Sequence, residues 1–266
     1  MENSMKEAQV ICFANNKGGV GKSSTVATIG RIWAREGHKV LLIDLDSQAN
    51  LTTILGQPMP RGEEDSNIRT ALLDPGSSWP NKLDENLSLW PSNLSLSRID
   101  MDLAGADSRE FRLLDAIQPV IYDFDYILID CPPALGLMTY NALVASGFLV
   151  LTSTADDLSY SGMGMIAELA SRIRQTPRMN PNLKLLGVVI TKYKSNKVSN
   201  KYIKLIHNDV GDVFIGTPIR ERTAFQRSIS MHADIFDYDP ECESAKDYQV
   251  VADVLKKRLT EYANKL

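Results

Sequence analysis

Two lysines, Lys17 and Lys22, bracket a glycine-rich run that reads Lys17-Gly18-Gly19-Val20-Gly21-Lys22-Ser23-Ser24. Such a loop is built to hold phosphate. Backbone N–H groups cradle the oxygens, Lys22 reaches the terminal phosphates, and the Ser23 hydroxyl ligates Mg²⁺. The usual spacing would place glycine at position 16, where this chain has Asn16. Lys17 comes too early in the loop to curl back easily onto the same phosphates. A second lysine beside a triphosphate makes sense if it points outward, toward the nucleotide of a facing subunit.

Carboxylates stand ready to complete the chemistry. The apolar run 39–44 ends in Asp44-Leu45-Asp46, and Tyr126–Asp130 ends in Asp130-Cys131-Pro132-Pro133. In a Mg²⁺–nucleotide site one carboxylate holds the hydrated metal while another orients the attacking water. Asp46 and Asp130 are the candidates. A single aspartate at a strand end more often caps the next helix; two such ends beside a phosphate loop favour the metal.

These residues need a scaffold that brings strand ends together. Residues 10–13 are a short apolar run leading into the loop. After it, 23–36 carries Val26, Ile29, Ile32 and Trp33 at helical spacing and closes at Gly37. Strand, glycine loop and helix aim a helix N-terminus at an anion. Further strands are expected at 39–44, Tyr126–Asp130, 148–152, Lys184–Thr191 and 213–215, and helices at 136–145, 161–175, 199–208 and 244–264. Several strands are apolar on both faces, as in a parallel sheet covered by helices. Residues 56–86, with Pro58, Pro60, Pro75 and Pro80, read as an irregular excursion with one short helix at 68–73. The expected fold is α/β, a mostly parallel twisted sheet flanked by helices on both faces, one domain over residues 1–266.

Bulk properties narrow the class. With 44% hydrophobic residues in 266, the chain can bury a substantial core. Cys12, Cys131 and Cys242 are odd in number and widely spaced, which argues against a disulfide framework or a zinc site. Neither a signal peptide nor an apolar run of about 20 residues is visible, so a cytoplasmic protein is expected. The net charge is −4, yet the window from Lys184 to Arg227 holds nine basic and three acidic residues. That sector is +6 and the remainder about −10, a distribution suited to a localised anionic partner.

The loop 14–24, the segment 41–52 (Leu-Leu-Ile-Asp-Leu-Asp-Ser-Gln-Ala-Asn-Leu-Thr) and 125–133 (Asp-Tyr-Ile-Leu-Ile-Asp-Cys-Pro-Pro) closely resemble the ParA/Soj family. These are P-loop ATPases with a deviant Walker A motif that partition plasmids and chromosomes. The likeness runs through nearly the whole chain, including 89–93, 109–113, 136–142 and 185–191. It implies ATP hydrolysis that is weak alone and stimulated by a ParB-type centromere-binding partner. It also implies an ATP-sandwiched homodimer that binds double-stranded DNA without sequence preference and sits on the nucleoid.

By position, Lys17 resembles the signature lysine that crosses to the other subunit's phosphates, Lys22 the in-subunit phosphate lysine, Ser23 the Mg²⁺ ligand and Asp46 the residue associated with hydrolysis. Asp130 matches the second-sphere magnesium carboxylate, and Asp44, Cys131 and Pro132 belong to the switch. Gly18, Gly19, Val20, Gly21 and Ser24 complete the nucleotide loop, with Pro218 and Ile219 assigned to adenine. Lys192, Lys194, Lys197, Lys201, Lys204, Arg220, Arg222 and Arg227 are the DNA candidates.

Departures from the family pattern are also visible. Ser23-Ser24 replace Thr-Thr but keep both hydroxyls, Pro218 is displaced from the usual Ile-Pro-Arg order, and Ser47 and Ala49 stand where proline and glycine are typical. The nine residues ahead of the first strand are too few for a helix-turn-helix domain, so operator reading is not expected. The stripe Val251, Leu255, Leu259 and Tyr262 in the last helix would, if membrane-seeking, indicate a MinD-like surface ATPase. It lacks the bulky face of such tails and is expected to pack on the sheet, so no membrane partner is expected. An iron–sulfur donor needs two bridging cysteines per subunit, and a small-molecule ligase of this fold needs a substrate pocket that no residue suggests.

Overall fold

A computed structural model describes residues 6–60 and 66–264. The first five residues, 61–65 of the proline-rich excursion and the last two of the tail lie outside the described residues. In chain order the elements are β1 (Gln9–Ala14), α1 (Lys22–Arg35), β2 (Val40–Asp44), α2 (Asn50–Ile54), α3 (Ile68–Leu73), β3 (Asn81–Lys82), β4 (Leu87–Trp90), α4 (Ile99–Asp102) and α5 (Arg112–Ile117). There follow β5 (Tyr126–Asp130), α6 (Leu137–Ala145), β6 (Phe148–Thr154), α7 (Asp157–Gln175), β7 (Lys184–Thr191), α8 (Lys197–Val210), α9 (Thr223–Ser230), α10 (Ile235–Tyr238) and α11 (Glu243–Ala263).

The strands form one sheet in the order β3-β4-β2-β5-β1-β6-β7. All neighbours are parallel except the edge pair β3 and β4. The chain reverses its direction of travel at β1: α1 leads to β2 on one side, while β6 and β7 lie on the other. That places the loop after β1 in the crevice where such sheets bind ligands.

Alternate residues of the central strands feed two separate cores. Cys12, Ile43, Ile129 and Leu151 pack beneath α3, α5, α6 and α7. Ile11, Phe13, Leu42, Leu128 and Val150 pack beneath α1 and α11. Val251, Leu255 and Leu259 of α11 are buried in the second core, and Tyr262 rests on Phe148 with ring centroids 5.4 Å apart. The apolar stripe of the last helix is thus occupied by the sheet, as expected.

One expected strand is absent. Val213 closes a 3₁₀ turn, and Phe214 makes only an isolated parallel bridge to Val188. Gly216 and Pro218 follow at once, and proline has no N–H to extend a ladder. In the excursion the helix at 68–73 forms as expected, but β3 also forms there and pairs with β4, just beyond it, to extend the sheet edge. Asn81 and Lys82 are exposed, so no alternation of apolar residues announces them.

Candidate nucleotide-binding site

The loop between β1 and α1 takes its shape from two left-handed glycines, Gly19 at φ 74° and Gly21 at φ 82°. Gly21 is the N-cap of α1 and supplies no side-chain cap, so the first-turn N–H groups face the cleft with their partial positive charge. Thr191, at the end of β7, donates to Val20 O at 2.6 Å. Lys192 Nζ donates to Gly19 O at 2.7 Å. Beneath the loop, Thr25 Oγ1 lies 2.7 Å from Gly21 O and 3.2 Å from the Tyr248 hydroxyl on α11. Complete burial pushes that phenol well above its usual range.

A cleft of about 400 Å³ opens over this loop, lined by Gly18, Gly19, Lys22, Ser23, Asp46 and Pro133 among others. Lys22 is almost wholly buried. Its ammonium makes only long contacts, 3.4 Å to Asn15 O and to Lys17 O, and no ion pair among the described residues. Asp46 is also buried, and its Oδ1 accepts the Gln48 N–H at 3.0 Å. Ser23 and Ser24 line the same cleft.

Asp44 and Asp130 are register partners at the ends of β2 and β5. Burial raises the Asp44 carboxyl to about 6, against hydrogen bonds from Thr52 and Asp46. Asp130 is raised further, to about 8, first by burial and then by the charge of Asp44, and the nearby Ser23 hydroxyl and Lys22 ammonium offset this only in part. Both Asp130 oxygens are buried without a hydrogen-bond partner. An orphaned carboxylate is costly in a dry interior. Beside the Ser23 hydroxyl and a phosphate cradle, it fits a hydrated divalent cation. Ser23 would ligate Mg²⁺ directly and Asp46 and Asp130 through water.

Lys17 does not join Lys22. Its Nζ lies 3.0 Å from Asp156 Oδ1, and neither residue lines the cleft over Lys22. The loop after β5 touches the cradle, since a Cβ on Gly18 would meet the Pro133 ring at 3.9 Å. Pro132 follows Cys131, whose thiol is raised first by its hydrogen bond with Cys12 and then by burial. Both sulfurs are fully buried, so neither can bridge a cluster between two chains. Ala49 sits at φ 52°, the left-handed region a glycine would adopt without strain.

A second cavity, about 330 Å³, adjoins the loop at Gly21 and Ser24 and is lined by Thr191, Ile219, Glu221, Phe225, Gln226 and Tyr248 among others. It is the candidate place for the base of a nucleotide held at the loop. Ile219 lines it and Pro218 does not. The aromatic face of Phe225 went unmarked in the sequence because helix α9 was not expected there.

The basic sector divides in three. Lys197, Lys201 and Lys204 are exposed on α8 at i, i+4 and i+7, one face of that helix. Lys192, just after β7, braces the phosphate loop through Gly19 O, and Lys194 pairs with Glu221 at 2.5 Å. Arg220 grips Asp247 with two bonds of 2.8 and 2.7 Å and reaches Glu243 at 2.7 Å. Arg222 also pairs with Glu243, and Arg227 is exposed on α9.

A protein-family model described as an AAA domain matches residues 8–185. The chromosome partitioning protein ParA of Myxococcus xanthus is 28% identical over 257 residues, covering 95% of this chain and 89% of that one. The chain belongs to the ParA/Soj family. A plasmid partition protein from Borrelia burgdorferi B31, solved with AMPPNP, superposes with a TM-score of 0.81 at 26% identity, covering 95% of this chain and all of the other. Cobyrinic acid a,c-diamide synthase from Mycobacterium smegmatis, solved with an ATP analogue and magnesium, gives 0.80 at 31% identity, covering 95% and 96%. The fold and the loop thus place this chain among ParA-like P-loop ATPases. No helix among the described residues is long and apolar enough to cross a membrane.

Proposed function

We propose that this chain is a partition ATPase that works as a nucleotide-controlled dimer. Two copies enclose Mg²⁺·ATP at facing loops, the closed dimer binds double-stranded DNA without sequence preference, and slow hydrolysis releases it. The observation that carries this reading is the division of labour between the two loop lysines. Lys22 is buried and lines its own phosphate cleft, while Lys17 lines no part of that cleft and is held by Asp156.

In the site, Lys22 and the first-turn N–H groups of α1 hold phosphate, and Ser23 with Asp46 and Asp130 holds the hydrated cation. Asp46 orients water for attack at the terminal phosphate. The cavity at Ile219 and Phe225 receives the base. Closing the dimer excludes water, which strengthens every charge contact made there. A ParB-type partner stimulates hydrolysis, and the bound form is nucleoid-associated.

DNA binding falls to the α8 stripe of Lys197, Lys201 and Lys204, assisted by Arg227. A MinD-like membrane role is the less favoured reading because the stripe of α11 is packed on the sheet. Binding to unrelated duplex DNA with ATP, ADP or no nucleotide, at two salt concentrations, tests the proposal. Salt-sensitive binding that requires ATP and fails in Lys17→Ala is the expected result. No binding in any nucleotide state overturns it, and vesicle binding then becomes the measurement of interest.

A further inference from the structure

Lys17 already has a partner inside its own chain. Asp156 Oδ1 and Oδ2 lie 3.0 and 3.2 Å from its ammonium, across 139 positions of sequence. Asp156 is no stray surface acid. It is the N-cap of α7, accepting the Ser159 N–H at 3.0 Å, and it also accepts from the hydroxyls of Ser159 and Thr154. Burial pushes its carboxyl up, but the bonds from Thr154, Ser159 and Lys17 outweigh this and hold it at about 2. It is a fixed anion.

The same turn of α7 is the bed of the phosphate loop. Asn15 Nδ2 donates to Thr152 O at 2.7 Å and Ser159 O at 3.1 Å, and Asn15 Oδ1 accepts the Lys17 N–H at 2.8 Å. A Cβ on Gly162 would lie 2.5 Å from Asn15 Oδ1. Carboxylate and lysine backbone are therefore held at a set separation by buried contacts. The ion pair follows from the packing and does not depend on two long side chains meeting by chance.

We propose that Asp156 is a positioning residue for Lys17: it holds the ammonium in its own subunit and must release it when two copies close. This rests on the dimer reading above. The pair is about one-third exposed on each side, so it is screened and opens at small cost. A triphosphate in a closed, dry interface is the stronger partner. Each closing dimer breaks two such pairs, so Asp156 biases the equilibrium toward the monomer and raises the threshold for assembly.

Asp156→Asn removes the charge and keeps an N-cap acceptor. Sedimentation velocity with Mg²⁺ and a non-hydrolysable ATP analogue compares wild type, Asp156→Asn, Lys17→Met and the double variant. Asp156→Asn should dimerise at about three- to tenfold lower protein concentration, and the advantage should vanish when Lys17 is methionine. Unchanged or weaker dimerisation of Asp156→Asn overturns the proposal. A double-mutant cycle by urea unfolding of the nucleotide-free protein reads the ion pair itself. Non-additive effects at positions 17 and 156 are expected. Additive effects, with wild-type dimerisation intact, overturn the proposal alone. A wild type that stays monomeric throughout overturns the dimer reading and the proposal with it.

Discussion

Asp44 and Asp130 face each other across one pair of adjacent parallel strands, and the protein supplies hydrogen bonds to only one of them. Asp44 accepts from the Asp46 N–H at 3.1 Å, the Thr52 N–H at 2.9 Å and the Thr52 hydroxyl at 2.8 Å. Asp130 has no partner at hydrogen-bond geometry, with only the nearby Ser23 hydroxyl and Lys22 ammonium favouring its charged form. Two buried carboxylates side by side cannot both ionise cheaply. Asp44, with three donors, is the better placed to carry the charge, and burial beside it raises the Asp130 carboxyl further than its own.

That asymmetry gives a pH dependence with a definite sign. The Asp130 carboxyl is raised in the folded chain to about 8, against about 3.9 in an unfolded one. Between those values the folded state binds a proton that the unfolded state does not. In EDTA and without nucleotide, stability therefore falls as pH rises, by roughly 1 kcal/mol per unit from this group. Asp130→Asn should remove the slope, so its melting temperature relative to wild type climbs from pH 5 to pH 8. An equal offset at both pH values would mean that Asp130 is ionised throughout. The same variant should lose the contribution of Mg²⁺ to ATP affinity.

Gly162 lies in the interior of α7, where alanine would ordinarily stabilise by about 1 kcal/mol. Here the sign reverses. The added methyl would sit 2.5 Å from Asn15 Oδ1 and 3.2 Å from the Lys17 backbone nitrogen. Asn15 is fully buried and tied at both ends of its amide, so it cannot step aside. Gly162→Ala should cost about 1–3 kcal/mol in urea unfolding, as overpacking does, and weaken ATP binding measured by calorimetry. Gly164→Ala is the control: nothing lies within 4 Å of its added methyl.

Replacing Lys197, Lys201 and Lys204 together by alanine should reduce DNA affinity equally for unrelated sequences. The slope of log K against log salt should fall by about 0.9 for each phosphate the variant no longer neutralises. ATP hydrolysis without DNA should be unchanged, because α8 contributes no residue to the cleft at Lys22. A triple variant with the wild-type slope would move the DNA surface elsewhere.

Local chemistry explains what could be read in advance. The phosphate loop is contiguous, its glycines are needed where the backbone is left-handed, and β1, β2 and β5 are apolar runs, the last two ending in acids. Those strands and the long helices between them could therefore be placed from pattern alone, whereas β3, β4 and α9 could not, and the strand expected at 213–215 does not form. Asp156 did not, because its meaning depends on a partner 139 residues away and on Gly162 bringing the two segments together. An aspartate suits a helix N-cap, but a cap marks the start of a helix and says nothing of what lies above it. The basic window shows a different limit of pattern. Proximity in sequence joined Lys192, Lys197 and Arg220, and the fold sends them to three places.

Arg220 turns that difference into a measurement. As a DNA contact it would matter through phosphate alone, and its removal would lower the salt slope without touching the fold. In the structure its guanidinium spans Asp247, which is nearly buried, and its backbone N–H donates to the same carboxylate at 3.0 Å. Ser244 Oγ donates to Arg220 O at 2.6 Å, so the residue fastens the first turn of α11 to the base cavity. The Asp247 charge keeps its backbone donor in Arg220→Ala but is deprived of the guanidinium that neutralises it. With the arginine one-third exposed, the expected cost is roughly 1–3 kcal/mol. Thermal unfolding should report that destabilisation, ATP affinity should fall because Arg220 lines the base cavity, and the DNA salt slope of the ATP-saturated protein should stay where it was.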